Sequence, residues 1–204
     1  MFAQPWHSRS RLVYLCGAHG SGKSTLLSRL TTREHLIAAE RFHVAIHAHE
    51  PLVRAIKRAL KYYLEYRWHR RLLARWEDKV LIGDRCIYDT IAYVSAYKSL
   101  GWLSPEERKM VWQFAKSLFA KSGWPDRVLF LCPPVEQLEV QLRARWSEGE
   151  VGWREKDLNY LRITATSFEK LYEELARRGV SARKLTHCDL GRNTDSAIKF
   201  IAAI

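Results

Sequence analysis

The stretch Gly17-Ala18-His19-Gly20-Ser21-Gly22-Lys23-Ser24 fits G-x-x-x-x-G-K-[ST] at every fixed position. Leu12-Val13-Tyr14-Leu15-Cys16 before it is an apolar run of strand length, and Thr25-Leu26-Leu27-Ser28-Arg29-Leu30 after it continues as an amphipathic helix. Strand, glycine-rich loop and helix in that order form a phosphate cradle; an accidental glycine turn would not bring both neighbours. Gly17, Gly20 and Gly22 permit backbone angles closed to other residues, so successive N–H groups can converge on phosphate oxygens. The start of the helix adds its positive end. Lys23 is expected to reach the β- and γ-phosphates of ATP, and the Ser24 hydroxyl to join the coordination of Mg²⁺.

Outward from this loop the chain alternates strands and helices. Residues 36–39 are expected to form a short second strand. Pro51 opens a helix expected to run to about residue 76, in which Leu52, Ile56, Leu60, Leu64, Trp68, Leu72 and Trp76 recur every four residues as a buried stripe. Beside them stand Tyr63, Arg67, Arg71 and Arg75, an aromatic and three cations suited to an anionic, ring-bearing ligand. Val80-Leu81-Ile82-Gly83 is a strand closed by Asp84 and Arg85. In a parallel sheet the ligand sits beyond the carboxyl ends of the strands, so this pair should face the crevice of the phosphate loop. There Asp84 can organise Mg²⁺ or accept a proton, and Arg85 can grip a phosphate in a bidentate fork.

Helices are expected over 87–100 and over 104–121, the second announced by Ser104-Pro105-Glu106-Glu107. Residues 127–132 are a strand stopped by Pro133-Pro134, and a helix follows through Arg143 and Arg145. Residues 146–156, with Gly149, Gly152 and mixed charges, carry no strong helical or strand pattern and are expected to act as a lid. A helix over 157–178, a strand at 183–186 and a helix over 194–203 complete a single domain, residues 1–204. The fold class is α/β, a three-layer α/β/α sandwich on a parallel sheet.

Charge bears on partners. Of 204 residues, 34 are Lys or Arg and 22 are Asp or Glu, a formal net charge of +12, which implies polyanionic ligands. An anionic small-molecule acceptor beside ATP is the favoured reading. Association with nucleic acid or an anionic membrane surface is a weaker one, and a homodimer is compatible with the pattern. There is no signal-peptide layout, no apolar run of spanning length and no C-x-x-C, so the expected setting is cytoplasmic with reduced thiols.

Several separate stretches resemble the thymidylate kinase family of P-loop nucleoside monophosphate kinases. Tyr14-Leu15-Cys16 and the loop through Thr25 are similar to its first strand and P-loop. Asp84-Arg85 followed by Ile87, Thr90, Ala92 and Tyr93 looks like its D-R-Y-x-x-S-x-x-A-Y signature, and Pro125-Asp126 leading to Leu131 like its P-D-x-x-x-x-L strand. Arg143, Arg145 and Arg154-Glu155 resemble its helix-end and lid residues. The resemblance implies phosphoryl transfer from Mg-ATP to a nucleoside monophosphate or related phosphorylated acceptor. It assigns Gly17, Ala18, His19, Gly20, Ser21, Gly22, Lys23, Ser24, Thr25, Arg143 and Arg145 to ATP, and Ser24 and Asp84 to the metal. Tyr63, Arg67, Arg85, Thr90 and Tyr93 fall to the acceptor, while Lys23, Asp84, Arg85 and the lid residue Arg154 carry catalysis. His19, Cys86 and Val94 depart from the family pattern at acceptor-reading positions, so discrimination in favour of thymidylate should be weakened. The rival enzyme reading is a nucleoside, sugar or other metabolite kinase of the same fold; the rival of another class is an ATP-driven switch.

Overall fold

The side chains of Leu12–Gly17 (β1) alternate between two apolar layers, because successive residues of a strand face opposite sides of the sheet. Leu12, Tyr14 and Cys16 enter one cluster, Val13 and Leu15 the other. The computed structural model describes residues 11–42, 48–76, 78–149, 154, 156–187 and 189–203. Five parallel strands, β1, β2 (Leu36–Ala38), β3 (Val80–Asp84), β4 (Arg127–Leu131) and β5 (Ser181–Leu185), lie in the order β2-β3-β1-β4-β5. The helices α1 (Lys23–Leu30) and α7 (Leu190–Ala202) cover one face. The other carries α2 (Pro51–Leu73), α3 (Ile87–Ser99), α4 (Pro105–Phe119) and α6 (Leu158–Arg177), with α5 (Val135–Ser147) packed through Leu138. The expected three-layer α/β/α sandwich is the one that forms. Among the described residues no helix is long and apolar enough to cross a membrane.

Register places the site. Leu15 of β1 is paired with Asp84 of β3, so the P-loop and the Asp84-Arg85 step leave the sheet side by side. Tyr14 pairs with Gly83, and a Cβ there would stand 2.3 Å from the Tyr14 ring. Glycine at that position is therefore a packing requirement.

The main departure from the sequence reading is the buried face of α2. Of the expected stripe, Leu52, Ile56, Leu72 and Trp76 are partly buried against the core, but Leu60 and Leu64 are 42% and 45% exposed, and the side that packs inward carries Ala55, Arg58, Ala59, Tyr62, Glu65, Tyr66 and His69. A spacing of four advances the helix by about 400°, so a stripe repeated every four residues drifts about 40° per step and leaves the interface. The inward set averages about 3.5 residues and drifts only about 10° per step. Smaller differences lie at helix ends. α4 stops at Phe119 after starting from the expected reciprocal Ser104–Glu107 capping box. α7 starts at Leu190 because Asp189 accepts the Gly191 N–H, four residues before the expected start.

A polar chain crosses this core. His69 Nε2 lies 2.7 Å from the Glu40 carbonyl and Nδ1 lies 3.0 Å from the Tyr14 hydroxyl. A carbonyl only accepts, so Nε2 carries the hydrogen, and in the neutral ring that burial favours Nδ1 accepts from the Tyr14 hydroxyl. Burial lowers its pKa, against the opposing pull of the Glu40 carbonyl. In the unfolded chain the same residue takes up a proton near pH 6.5, so below that value the unfolded state binds more protons and stability falls by up to about 1.4 kcal/mol per pH unit. Urea unfolding at pH 7.5 and 5.5 should show that loss in the wild type and a smaller one in His69→Gln. Equal losses in both proteins would assign the pH dependence elsewhere.

Candidate active site

The P-loop closes on itself through glycine. A Cβ on Gly17 would meet the Leu131 carbonyl at 2.6 Å, and Gly20 and Gly22 have φ of 72° and 84°, in the left-handed region. Gly22 is the N-cap of α1, so Lys23, Ser24 and Thr25 fall in that helix's first turn. The Lys23 side chain turns back over the loop, and its Nζ donates to Gly17 O at 2.9 Å, Ala18 O at 2.7 Å and Ser21 Oγ at 2.9 Å. Burial, then the positive charge of Arg85, lower its pKa to about 7, with Asp89 and Asp84 opposing. A buried lysine poised at neutrality is a cation waiting for an anion.

Arg85 is the second anchor. It adopts φ 72°, uncommon for a residue with a side chain, and its N–H donates to Leu15 O at 2.9 Å. Its Nη1 lies 3.2 Å from Asp89 Oδ1 and 3.2 Å from the Tyr93 hydroxyl. Asp89 is fully buried; its Oδ2 accepts the Cys86 N–H at 3.0 Å and so caps α3. Asp84 Oδ2 accepts from Arg41 Nη1 at 2.8 Å, while its buried Oδ1 has no hydrogen-bond partner. That orphaned oxygen and the exposed Ser24 hydroxyl are hard oxygen donors on one crevice, a set that fits Mg²⁺.

The crevice thus unites the P-loop, Asp84, Arg85 and Tyr93, whose ring lies 5.4 Å from that of His19. It does not take in Tyr63 and Arg67. Tyr63 packs edge-on against Phe119 of α4 at 5.3 Å, and exposed Arg67 lies over the Tyr63 ring. Adjacent helical residues point about 100° apart, and the inward position belongs to Tyr62, with Arg58 one turn before it. Thr90 and Val94 line a groove of about 1030 Å³ among α3, α4 and α6. Cys86 lies in the core with its sulfur 3.4 Å from that of Cys16. Cys16, Cys86 and Asp89 stand close enough to share a cation, yet both Asp89 oxygens are taken and burial pushes the Cys16 thiol up. α5 borders the P-loop, since a Cβ on Gly20 would meet Leu142 at 2.8 Å. It carries Arg143 exposed and Arg145 half-buried. Arg154 stands 4.5 Å over the Trp102 ring, which stacks on Tyr160. Of the expected lid, residues 150–153 and Glu155 lie outside the described residues, as does Cys188.

Arg41, Asp89, Arg58 and Tyr62 are the residues the sequence reading missed. Asp89 had a signal: it stands three residues after the N-cap Cys86 and four after Arg85, the spacings of a capping box and of a helical ion pair.

A family model described as an AAA domain matches residues 12–186. The chain belongs to the AAA domain family. Solved structures similar to this AAA domain include deoxyadenosine kinase from M. mycoides with bound dATP, at 12% identity and a TM-score of 0.69, covering 93% of this chain and 98% of that one. The same kinase with bound dCTP gives 14% identity and 0.63, over 95% and 100% of the two chains. With its products dCMP and a flexible dCDP bound, it gives 11% and 0.61 over the same shares. At such identities the likeness is one of fold. No curated protein matches the sequence.

Removing the Asp89 carboxylate strands a buried guanidinium and uncaps α3. Asp89→Ala should therefore lower the unfolding free energy by about 3–5 kcal/mol, and Asp89→Asn, which keeps an acceptor, by less. Chemical denaturation of the two variants checks this. A loss under about 1 kcal/mol in Asp89→Ala would show that Arg85 is held by other groups.

Proposed function

We propose that this AAA domain is an ATP-dependent phosphotransferase that moves the γ-phosphate of Mg-ATP to a small anionic acceptor of the nucleoside monophosphate class. The observation that carries the reading is the convergence of Lys23, Asp84 and Arg85 at the carboxyl ends of β1 and β3, with Arg85 fixed by Asp89 and Tyr93 rather than free to swing. Phosphoryl transfer asks a protein for positioning and charge neutralisation. ATP supplies the phosphoryl group and Mg²⁺ the neutralising charge when bound. Lys23 exchanges its three loop acceptors for phosphate oxygens. Asp84 and Ser24 hold the metal, and Arg85 orients the acceptor oxygen in line. Residues 146–156 act as the lid of a single domain over 1–204, with Arg154 arriving on the Trp102 side. A phosphate acceptor needs no dedicated base. Buried free thiols at Cys16, Cys86 and Cys132 suit a cytoplasmic setting.

A second reading, a nucleoside kinase, is favoured by one feature. Asp84 Oδ1 has no partner and could take the proton of a hydroxyl acceptor. The similar structures are named deoxyadenosine kinases. A screen of nucleosides, nucleoside monophosphates and sugar phosphates with Mg-ATP separates the two. Turnover confined to unphosphorylated nucleosides would replace the first reading by the second. Thymidylate is not the favoured acceptor. Cys86 and Val94, placed in the core and on the outer groove, present no polar group to a base.

Arg85→Lys keeps charge but loses the two-pronged fork, so the acceptor KM should rise about tenfold or more while ATP affinity changes little. The reverse pattern would move Arg85 to the donor side. Lys23 supplies a pH test. It is largely neutral above its pKa of about 7 and must be charged to hold phosphate, so ATP binding at pH 8 should take up about one proton. Affinity should fall about tenfold per pH unit above 8. Calorimetry in buffers of different ionisation enthalpy measures the uptake; none would mean that Lys23 is already charged in the free protein.

A further inference from the structure

Helix α2 has two sides, and the core and crevice account for one of them. On the other stand Val53, Lys57, Leu60, Leu64, Arg67 and Arg71, which at about 100° per residue fall within an arc of about 80° along about 27 Å of helix. All six are exposed, Val53 by 37% and the two leucines by more. Single apolar side chains on a surface are ordinary, but three on one line of one helix make a stripe. Cations lie among them and continue the line beyond them. Arg67 rests over the Tyr63 ring, while the side chains of Lys57 and Arg71 make no hydrogen bond or ion pair with any described residue. Within α2 the one acid is Glu65, 2% exposed and turned inward to Lys61 and the Phe42 N–H. The outer side of α2 is therefore apolar and cationic together, with no carboxylate of its own helix on that side.

We propose that this outer face of α2 is a docking surface for an anionic lipid leaflet. Val53, Leu60 and Leu64 enter the boundary between headgroups and acyl chains, and the long stems of Lys57, Arg67 and Arg71 leave their charged heads among the lipid phosphates and carboxylates. The apolar stripe selects this occupant. A polynucleotide offers phosphates but no apolar layer for the leucines, and a helical peptide needs a groove where this face is one helix side. A second copy of the chain would set the same cations against one another. None of the six residues belongs to the crevice, so the surface does not depend on the kinase reading.

Vesicle flotation of the full chain tests this. The protein should float with mixed phosphatidylserine–phosphatidylcholine vesicles, should not float with phosphatidylcholine alone, and should be released as salt rises. A cation beside an anionic leaflet is worth about fivefold in partition, so Lys57→Gln combined with Arg71→Gln should weaken binding about twenty- to thirtyfold. Leu60→Ser combined with Leu64→Ser leaves every charge in place and should weaken it about tenfold or more. Lys109→Gln combined with Lys170→Gln makes the same charge change on the outer groove and should weaken it less than about threefold, which separates this face from adsorption by net charge. All the substituted side chains are exposed, and thermal melts of the variants should match the wild type. Equal losses in the α2 and groove charge variants, or full binding in the serine variant, overturn the docking surface. So does tighter binding of single-stranded RNA lost in the α2 charge variant, or a dimer in sedimentation that the serine variant disperses. Vesicle binding by a protein that phosphorylates no acceptor overturns the kinase reading alone and leaves this surface standing.

Discussion

The contact between Arg85 and the fully buried carboxylate of Asp89 organises the crevice. A carboxylate without solvent must be answered, and here one oxygen takes the guanidinium and the other the backbone N–H that opens α3. The same carboxylate thereby starts a helix and aims the Arg85 guanidinium. Arg85 sits in the left-handed region at a cost of about 1 kcal/mol, offset by its N–H bond to Leu15 and by the ion pair. Strand β1, strand β3 and helix α3 are joined at one residue.

Tyr93 extends that constraint outward. Its hydroxyl meets Arg85, its ring meets Arg58, and its neighbours are the rings of His19, Tyr97 and Phe168. A rigid aromatic between cations keeps positive charges apart without neutralising them. Among the described residues, Lys23, Arg41 and Arg85 gather around Asp84 and Asp89. Part of the chain's +12 therefore belongs to the site. More of it rims the outer groove at Lys98, Arg108, Lys109 and Lys170.

The parts of this arrangement legible in the sequence are the contiguous ones. The P-loop reads directly because its geometry is local: strand, glycines, lysine and helix within one short stretch. Asp84-Arg85 reads because an acid after an apolar strand has only one place to go in a parallel sheet. The α2 contribution did not read, because a stripe of leucines and tryptophans looked more apolar than Ala55, Arg58, Tyr62 and His69. Packing follows the period that stays on one side of the helix, even when that side carries polar residues. An error of one residue, Tyr63 for Tyr62, is about 100° of helix and moves the side chain from the crevice to the α4 interface. Arg58 was invisible for a related reason. Nothing in a sequence marks an arginine as buried against a tyrosine ring.

Site and core are also joined on the β2 side. Residues 39–42, which follow β2, are held by hydrogen bonds: His69 Nε2 to Glu40 O, the Phe42 N–H to Glu65 Oε1 at 2.8 Å, and Arg41 to Asp84. Two of those partners lie on the inward face of α2, where Glu65 is 2% and His69 2% exposed. Unsatisfied buried polar groups are expensive, so these bonds fix the segment as firmly as packing would. The polar residues that made α2 look like a poor core helix are the ones that hold Arg41 against Asp84. Apolar side chains at 65 and 69 would bury well and would release the strap. The interior of α2 is polar because it has to grip a backbone that the sheet does not cover.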